Sequence, residues 1–170
     1  RSQWDQAYLS DEDYVNLANL KFMTDYYGYE PDRIIRLRSE GRDFLSIANL
    51  VAGLVGAGSS SRYGYSDSSL GEDLLGSFLY AAASQFNRPE DEIYLLRDRG
   101  IRETEIPVVL YLSSRAGVAP MSIAELRMRG LGWYDISSRY GLGADIFYVP
   151  VDNYYGDPVY GSAYDLYRRY

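Results

Sequence analysis

The chain has 170 residues, which is enough for one compact domain with a hydrophobic core. Its formal charge of −7 and its isoelectric point near 4.6 argue against nucleic acid or an anionic membrane as partner, because both are bound through clustered Lys and Arg. The absence of Cys and His removes thiol nucleophiles, Ser-His-Asp triads and the common zinc sites. We therefore expect a non-enzymatic protein with no catalytic, cofactor-binding or metal-binding residues.

Three long helices are predicted along the chain. The first covers about 11–27, where Ser10 and Asp13 have the spacing of a capping box and the apolar residues recur at helical spacing. The second covers about 72–86, through LLGSFLYAAASQF. The third, IPVVLYLSSRAG at 106–117, is rich in β-branched residues that are typical of strands. Its alignment with the other two nevertheless favours a helix.

A short octapeptide follows each long helix and occurs in three versions. These are IIRLRSEG at 34–41, IYLLRDRG at 93–100 and IAELRMRG at 123–130, at spacings of 59 and 30 residues. The match extends in both directions, through Gly28, Asn87 and Gly117 before the octapeptides and Ile47, Ile106 and Ile136 after them. We interpret the three segments as copies of one helix–turn–helix unit.

The shared residues of the octapeptide predict how its helix ends. Ile and the Leu three positions later lie on one helical face, and the final Gly supplies the left-handed residue that closes a helix. Arg near that end faces the negative pole of the helix dipole. The repeat-structural residues are therefore Arg38, Arg97, Arg127, Gly41, Gly100 and Gly130. A groove for an acidic ligand is the alternative role of the three arginines.

These patterns predict a mainly α protein, either a helical bundle or a short solenoid. Residues 1–52 form the first repeat unit, 53–71 a Gly/Ser-rich linker, and 72–141 two tandem units, and 142–170 form an extended tyrosine-rich tail. GLVGAG at the start of the linker resembles a phosphate-binding loop, but SSSRYGYSDSS does not open into the helix that such a loop requires. The longest apolar run, IANLVAGLVGAG, is too short and too glycine-rich to cross a bilayer, so we expect no membrane insertion.

Tyrosine is the most unusual feature of the composition, with 19 residues in the chain. Its apolar ring and polar tip suit either the rim of a core or an assembly surface. Seven of the tyrosines fall between Tyr148 and Tyr170, where IFYVPV and the turn pairs DN and GD predict extended chain. The predicted interface residues are Trp4, Tyr148, Tyr154, Tyr155, Tyr160, Tyr164, Tyr167 and Tyr170.

Two other functions have some support in the sequence. GWYDISSRYGL at 132–142 resembles the first helix and turn of a DNA-binding helix-turn-helix, but the following ADIFYVPV has no Arg or Lys and does not resemble a recognition helix. A module that binds a peptide or a glycan is the second alternative, with Trp133 and neighbouring tyrosines lining its groove.

Three blocks of the chain, at 11–41, 108–151 and 160–170, resemble a group of uncharacterised exported bacterial helical proteins. The blocks include VNLANLKF, IAELRMRGLGWYDI and IFYVPV. The resemblance implies an α-helical fold, a location outside the cell or on its surface, and no catalytic residue. In that group the tyrosine-rich segment leads through a tryptophan into the VNL-x-NLKF block, whereas here the two stand at opposite ends. The order is therefore permuted, or the chain is one period of a longer array.

The function that we expect from these features is structural. The tyrosine-rich terminal segments would join copies of the chain into a homo-oligomer or a filament, since a head-to-tail contact does not close by itself. The partner is then the protein itself, with no nucleic acid, and the sequence specifies no small-molecule ligand.

Overall fold

The structure is a computed structural model that describes residues 9–55 and 67–151, with side chains for 9–50 and 75–151. As predicted, the described part is mainly α-helical and forms a bundle, and it contains no strand. Its helices are α1 (Asp11–Tyr27), α2 (Pro31–Ser39), α3 (Phe44–Val55), α4 (Asp67–Gln85), α5 (Glu90–Asp98), α6 (Ile106–Ala116), α7 (Pro120–Met128) and α8 (Trp133–Arg139). Two short 3₁₀ helices, Glu103–Glu105 and Ala144–Phe147, precede α6 and follow α8. None of the described helices has the length and apolar character needed to span a bilayer.

Helix α1 begins and ends where its sequence predicts. Ser10 Oγ accepts a hydrogen bond from the Asp13 amide at 3.1 Å, and Asp13 Oδ2 accepts one from the Ser10 amide at 3.0 Å. This reciprocal pair confirms the capping box. At the other end Gly28 adopts a left-handed φ of 67° and its amide donates to the Thr24 carbonyl at 3.0 Å.

Helix α1 is buried on more sides than the helical spacing of its apolar residues indicates. It packs against α2, α3, α4, α6 and α8, so it lies at the centre of the bundle. Two asparagines, Asn16 and Asn19, are buried together with the apolar residues. Asn19 Nδ2 donates to the carbonyls of Val15 and Thr104, both at 2.8 Å. Because these bonds satisfy the buried amide donor, a polar residue in the sequence does not mark an exposed face here.

Helix α6 shows why the β-branched segment is not a strand. Each residue from Ile106 to Ser113 is buried, because α6 packs against α1, α5 and α7. Pro107 lies in its first turn, where proline costs no hydrogen bond, and Gly117 closes it with a φ of 72°. Packing on several sides therefore outweighs the strand propensity of the valines.

The three copies of the repeat share one backbone course. In each copy, the backbone is left-handed at one aligned position before the short helix and at the glycine that ends the octapeptide. The positive φ values are at Gly28, Asn87 and Gly117 before the helix, and at Gly41, Gly100 and Gly130 after it. The isoleucine columns are fully buried in each copy, at Ile34, Ile93, Ile123, Ile47, Ile106 and Ile136. Pro31 and Pro120 stand in the first turns of α2 and α7, and Pro89 is the N-cap of α5. The segments are therefore three copies of one packing unit.

Overlap between units explains the unequal spacing of the copies. The first unit is α1–α2–α3 and the second is α4–α5–α6. The third unit is α6–α7–α8, so α6 closes the second unit with Ile106 and opens the third with the turn at Gly117. Units one and two share no helix, which lengthens their spacing to 59 residues, whereas the shared α6 shortens the next to 30.

The described ends of the segments outside the units are more helical than their sequences predict. Helix α3 continues to Val55 and α4 begins at Asp67, so both ends of the predicted linker are helical and residues 56–66 lie outside the described part. Leu54 and Val55 continue the apolar sequence of α3. Asp67, Ser68 and Ser69, at the start of α4, are residue types that are favoured where a helix begins.

The start of the predicted extended tail is also different. Residues 144–147 form a 3₁₀ helix rather than extended chain, because Ala144, Ile146 and Phe147 are buried against the bundle. Extended backbone begins only at Tyr148, with φ −63° and ψ 130°. Residues 152–170 lie outside the described part of the chain.

Candidate functional site

Arg127, near the end of α7, is the centre of a polar network that joins four parts of the fold. Its Nε donates to Glu105 Oε2 at 2.8 Å, and its Nη1 donates to Asp11 Oδ2 at 2.9 Å. The same Nη1 donates to the carbonyl of Leu131 at 3.0 Å. Arg127 therefore ties α7 to the N-terminus of α1, to the 3₁₀ helix before α6, and to the turn before α8.

Trp133, the first residue of α8, completes this network. Its ring centre lies 4.9 Å from the guanidinium carbon of Arg127, and its indole Nε1 donates to Glu105 Oε2 at 3.0 Å. Its amide donates to Asp11 Oδ1 at 2.8 Å, so a carboxylate of α1 caps α8. Gly132 permits this approach, since a Cβ there would lie 3.2 Å from Asp11 Oδ1. The ring is fully buried, so the prediction that Trp133 lines a ligand groove is wrong.

The buried charge of Glu105 is compensated from within the network. Only 5% of its side chain is exposed, and burial of a carboxylate is costly unless it is paired. Oε2 accepts from Arg127 and Trp133, and Oε1 accepts from Nε of Arg102 at 3.1 Å. Both carboxylate oxygens of Glu105 are therefore hydrogen-bonded within the network, and these bonds connect the helices.

Arg38 occupies the equivalent place in the first unit and makes equivalent contacts. Its Nη1 donates to the carbonyl of Arg42 at 3.1 Å, four residues on, as Arg127 does to Leu131. Its guanidinium carbon lies 4.7 Å from the ring centre of Phe44, six residues on. It also reaches α1, through Glu12 at 3.5 Å.

Arg97, in the second unit, does not repeat these contacts. Its guanidinium lies 5.1 Å from the ring centre of Tyr94 on its own helix, and Nη2 is 3.5 Å from Asp98. The position six residues on is Glu103 rather than an aromatic residue. The three arginines are spread over three units and do not converge on one groove.

A second polar cluster, which the sequence did not reveal, joins α1 to α6. The hydroxyl of Tyr111 donates to Asp25 Oδ2 at 2.8 Å, and Lys21 Nζ lies 3.2 Å from the same oxygen. Burial, and then the neighbouring Asp25 charge, raise the pKa of Tyr111 above its ordinary value, so its hydroxyl remains a donor. Lys21, the only lysine of the chain, was the available signal.

Tyr14 also joins α1 to the C-terminal half. Its hydroxyl and Ser137 Oγ are 3.0 Å apart, and its ring meets that of Phe147 edge-on with centroids 5.9 Å apart. Burial raises the pKa of Tyr14 to about 12. The start of the C-terminal segment is therefore fixed on the central helix.

A groove of about 470 Å³ opens between the end of α4, the end of α6 and the start of α7. Its walls include Phe86, Arg88, Leu110, Ser113, Ser114 and Val118. The two turns that frame it follow the left-handed residues Asn87 and Gly117, which belong to one column of the repeat.

Of the predicted interface residues, the structure describes only Tyr148. It is 47% exposed, whereas the preceding Phe147 is fully buried. The other exposed large apolar side chains in the described part are Tyr80, Leu95 and Met128. Trp4, Tyr154, Tyr155, Tyr160, Tyr164, Tyr167 and Tyr170 lie outside the described residues.

Comparisons with known proteins identified no relative of this chain. No protein-family model matches the chain, and no match was found among curated proteins or solved structures.

Proposed function

We propose that this chain is a non-enzymatic structural or interaction protein that self-associates through its tyrosine-rich terminal segments, with the filament as one form of assembly. Export from the cell belongs to the same proposal and is supported by the resemblance of the three sequence blocks described above. The helical bundle then acts as a rigid body, and the terminal segments supply the contacts between copies.

The observation that carries this proposal is the burial pattern at the start of the tyrosine-rich segment. Phe147 is fully buried and Val149 is 6% exposed, whereas Tyr148 between them is 47% exposed. The root of the tyrosine-rich segment is thus fixed to the core and presents its first tyrosine to solvent. A segment held at its root loses less orientational freedom on binding than one joined by a loose linker.

The chemistry of the segment also supports contact between proteins. Residues 152–170 contain six tyrosines, and tyrosine is enriched at interfaces because it offers a large rigid ring and a hydroxyl. The polar clusters at Arg127 and Tyr111 are engaged within the bundle, where they connect helices. Their contacts support a scaffold role for the helical bundle.

The test is the molecular mass of the full chain as a function of concentration. Sedimentation should show a mass that rises with concentration, and negative-stain images should show discrete oligomers or filaments. A variant in which Tyr154, Tyr155, Tyr160, Tyr164 and Tyr167 are changed to Ser should remain monomeric. The matched control Tyr80→Ser, at an exposed position of α4, should assemble like the wild type.

One result contradicts the proposal directly. A wild-type chain that stays monomeric up to about 1 mM would have no self-association stronger than about −4 kcal/mol. A tail variant that assembles as well as the wild type would equally rule out the terminal tyrosines as the contact.

A further inference from the structure

We propose that the groove between α4, α6 and α7 binds the tyrosine-rich segment 152–170 of a second copy of the chain. This inference rests on the proposed self-association and names the receiving surface. The groove's 470 Å³ falls within the range of about 300–1,000 Å³ that is usual for binding sites.

The walls of the groove suit tyrosine side chains. Phe86, Leu110 and Val118 provide apolar contact for a ring. Ser113 donates to the Val118 carbonyl at 2.6 Å and keeps acceptor capacity, and Ser114 is exposed. An apolar wall with nearby hydroxyl groups matches a side chain that is apolar along its ring and polar at its tip.

The groove offers one hydrogen-bond donor that suits the acidic segment. Among the described residues that line the groove, Arg88 is the only charged one. Its Nε and Nη2 are bonded to Glu92, at 2.8 and 2.6 Å, while no bond to a described residue engages Nη1. Residues 152–165 contain three Asp and no Lys or Arg. The unused donor therefore favours a segment that carries carboxylates.

The described start of the segment, at Tyr148, is extended and lies close to the groove. Ring contacts run from Phe86 to Tyr111 at 4.7 Å and from Tyr111 to Phe147 at 5.8 Å, so the groove wall lies near the exit point. Tyr148 is extended, and Pro150 favours extended backbone at the residue before it. The linking experiment below distinguishes entry into the groove of a neighbouring copy from entry into the chain's own groove.

The reach of the segment is sufficient for a neighbour. Its 19 residues span up to about 60 Å when extended, whereas a folded chain of this size has a radius of gyration of about 15 Å. A neighbouring copy is therefore within range.

The absence of Cys in the chain permits a direct test. Full-length Ser114→Cys and Tyr160→Cys variants, one of them carrying a tag that changes its mass, are mixed and oxidised; they should give a disulfide-linked heterodimer that a non-reducing gel separates from the two homodimers. The matched control Ser39→Cys, at an exposed position of α2, should give at least tenfold less heterodimer with Tyr160→Cys. If the double variant Ser114→Cys/Tyr160→Cys links only within one chain, and the mixture gives no heterodimer, the second-copy proposal is wrong.

A groove-filling variant separates this inference from the proposed function. Ser114→Trp should weaken self-association at least tenfold in sedimentation, whereas Ser39→Trp should not, and circular dichroism should show that both variants are folded. Self-association that needs the tail tyrosines but is unchanged in Ser114→Trp would overturn the groove and leave the proposed function standing. A monomeric wild type would overturn both.

Discussion

The guanidinium carbon of Arg127 lies 4.9 Å from the ring centre of Trp133, six residues further along the chain. Arg38 has the same relationship to Phe44, at 4.7 Å. In both units the arginine also bonds the carbonyl four residues on. In these two units the arginine thus stabilises the turn that follows its helix, through a carbonyl of the turn and the aromatic ring that follows it.

We predict that Arg127→Ala destabilises the fold much more than the equivalent change in the second unit. Loss of Arg127 leaves Glu105, whose side chain is 5% exposed, without its closest cation, which should cost about 3 kcal/mol of unfolding free energy. Arg97→Ala removes a largely solvent-screened ion pair with Asp98 and a contact with the Tyr94 ring, and it should cost about 1 kcal/mol or less. Urea unfolding followed by circular dichroism measures both. Equal losses would contradict the structural role assigned to the Arg127 network.

The buried tyrosine of α1 predicts a loss of stability at high pH. Below pH 10 the Tyr14 hydroxyl is protonated in both states; between pH 10 and about 12 the unfolded chain loses the proton while the folded chain, with its raised pKa, keeps it. The free energy of unfolding should therefore fall by up to about 1.4 kcal/mol per pH unit in this window from Tyr14 alone. Unfolding at pH 8 and 11 should differ less in Tyr14→Phe than in wild type.

The control for this pH effect is Tyr80→Phe, since the Tyr80 ring is 55% exposed. It should leave the difference between pH 8 and 11 at the wild-type value. A Tyr14→Phe variant with the full wild-type difference would show that burial of Tyr14 does not contribute to it.

Two Gly→Ala substitutions should have opposite effects on the stability of the fold. Gly117 has a φ of +72° and open space within 4 Å of the place that a Cβ would take, so Gly117→Ala should cost about 1 kcal/mol from backbone strain alone. Gly76 lies within α4, where the nearest atom to an added Cβ is the Tyr94 hydroxyl at 3.8 Å. Gly76→Ala should therefore stabilise by about 0.5 kcal/mol. Thermal melts measure both effects. Melting temperatures that shift in the same direction in the two variants would contradict this prediction.

Tyr111 and Lys21 contact the same oxygen of Asp25, and they should differ in importance. Tyr111→Phe removes a 2.8 Å hydrogen bond to a carboxylate and should cost about 1.5 kcal/mol. Lys21→Met removes a partly exposed ion pair and should cost about 0.5 kcal/mol or less. Urea unfolding at low and high salt checks this, because only the loss in Lys21→Met should shrink as salt screens the pair.

The helices and their ends were predictable because their signals are local. The capping box at Ser10 and Asp13 and the terminal glycines Gly41, Gly100 and Gly130 each act within a few residues of the chain, and the structure shows the capping box and the left-handed glycines as expected. The isoleucine columns were equally informative, since a residue that recurs at one position of a unit must meet the same core.

The central place of α1 was not predictable from its own residues. Asn19 has the character of a polar surface residue, but its partner carbonyl at Thr104 belongs to a segment 85 residues away. The Asp11–Arg127–Glu105 network could not be predicted either, because its members come from three segments that are distant in the sequence. The divergence of Arg97 was visible in principle, since Glu103 replaces the aromatic residue found at Phe44 and Trp133.

Helix α6 contributes to two units at once, and this makes its length a shared constraint. Adding one residue within it would rotate everything downstream by about 100° around the helix axis. The α7–α8 hairpin would then face a different neighbour, while Ile106 stayed in register with α5. Natural variation in chain length is therefore expected between α3 and α4, where adjacent units share no helix, and should be rare in α6.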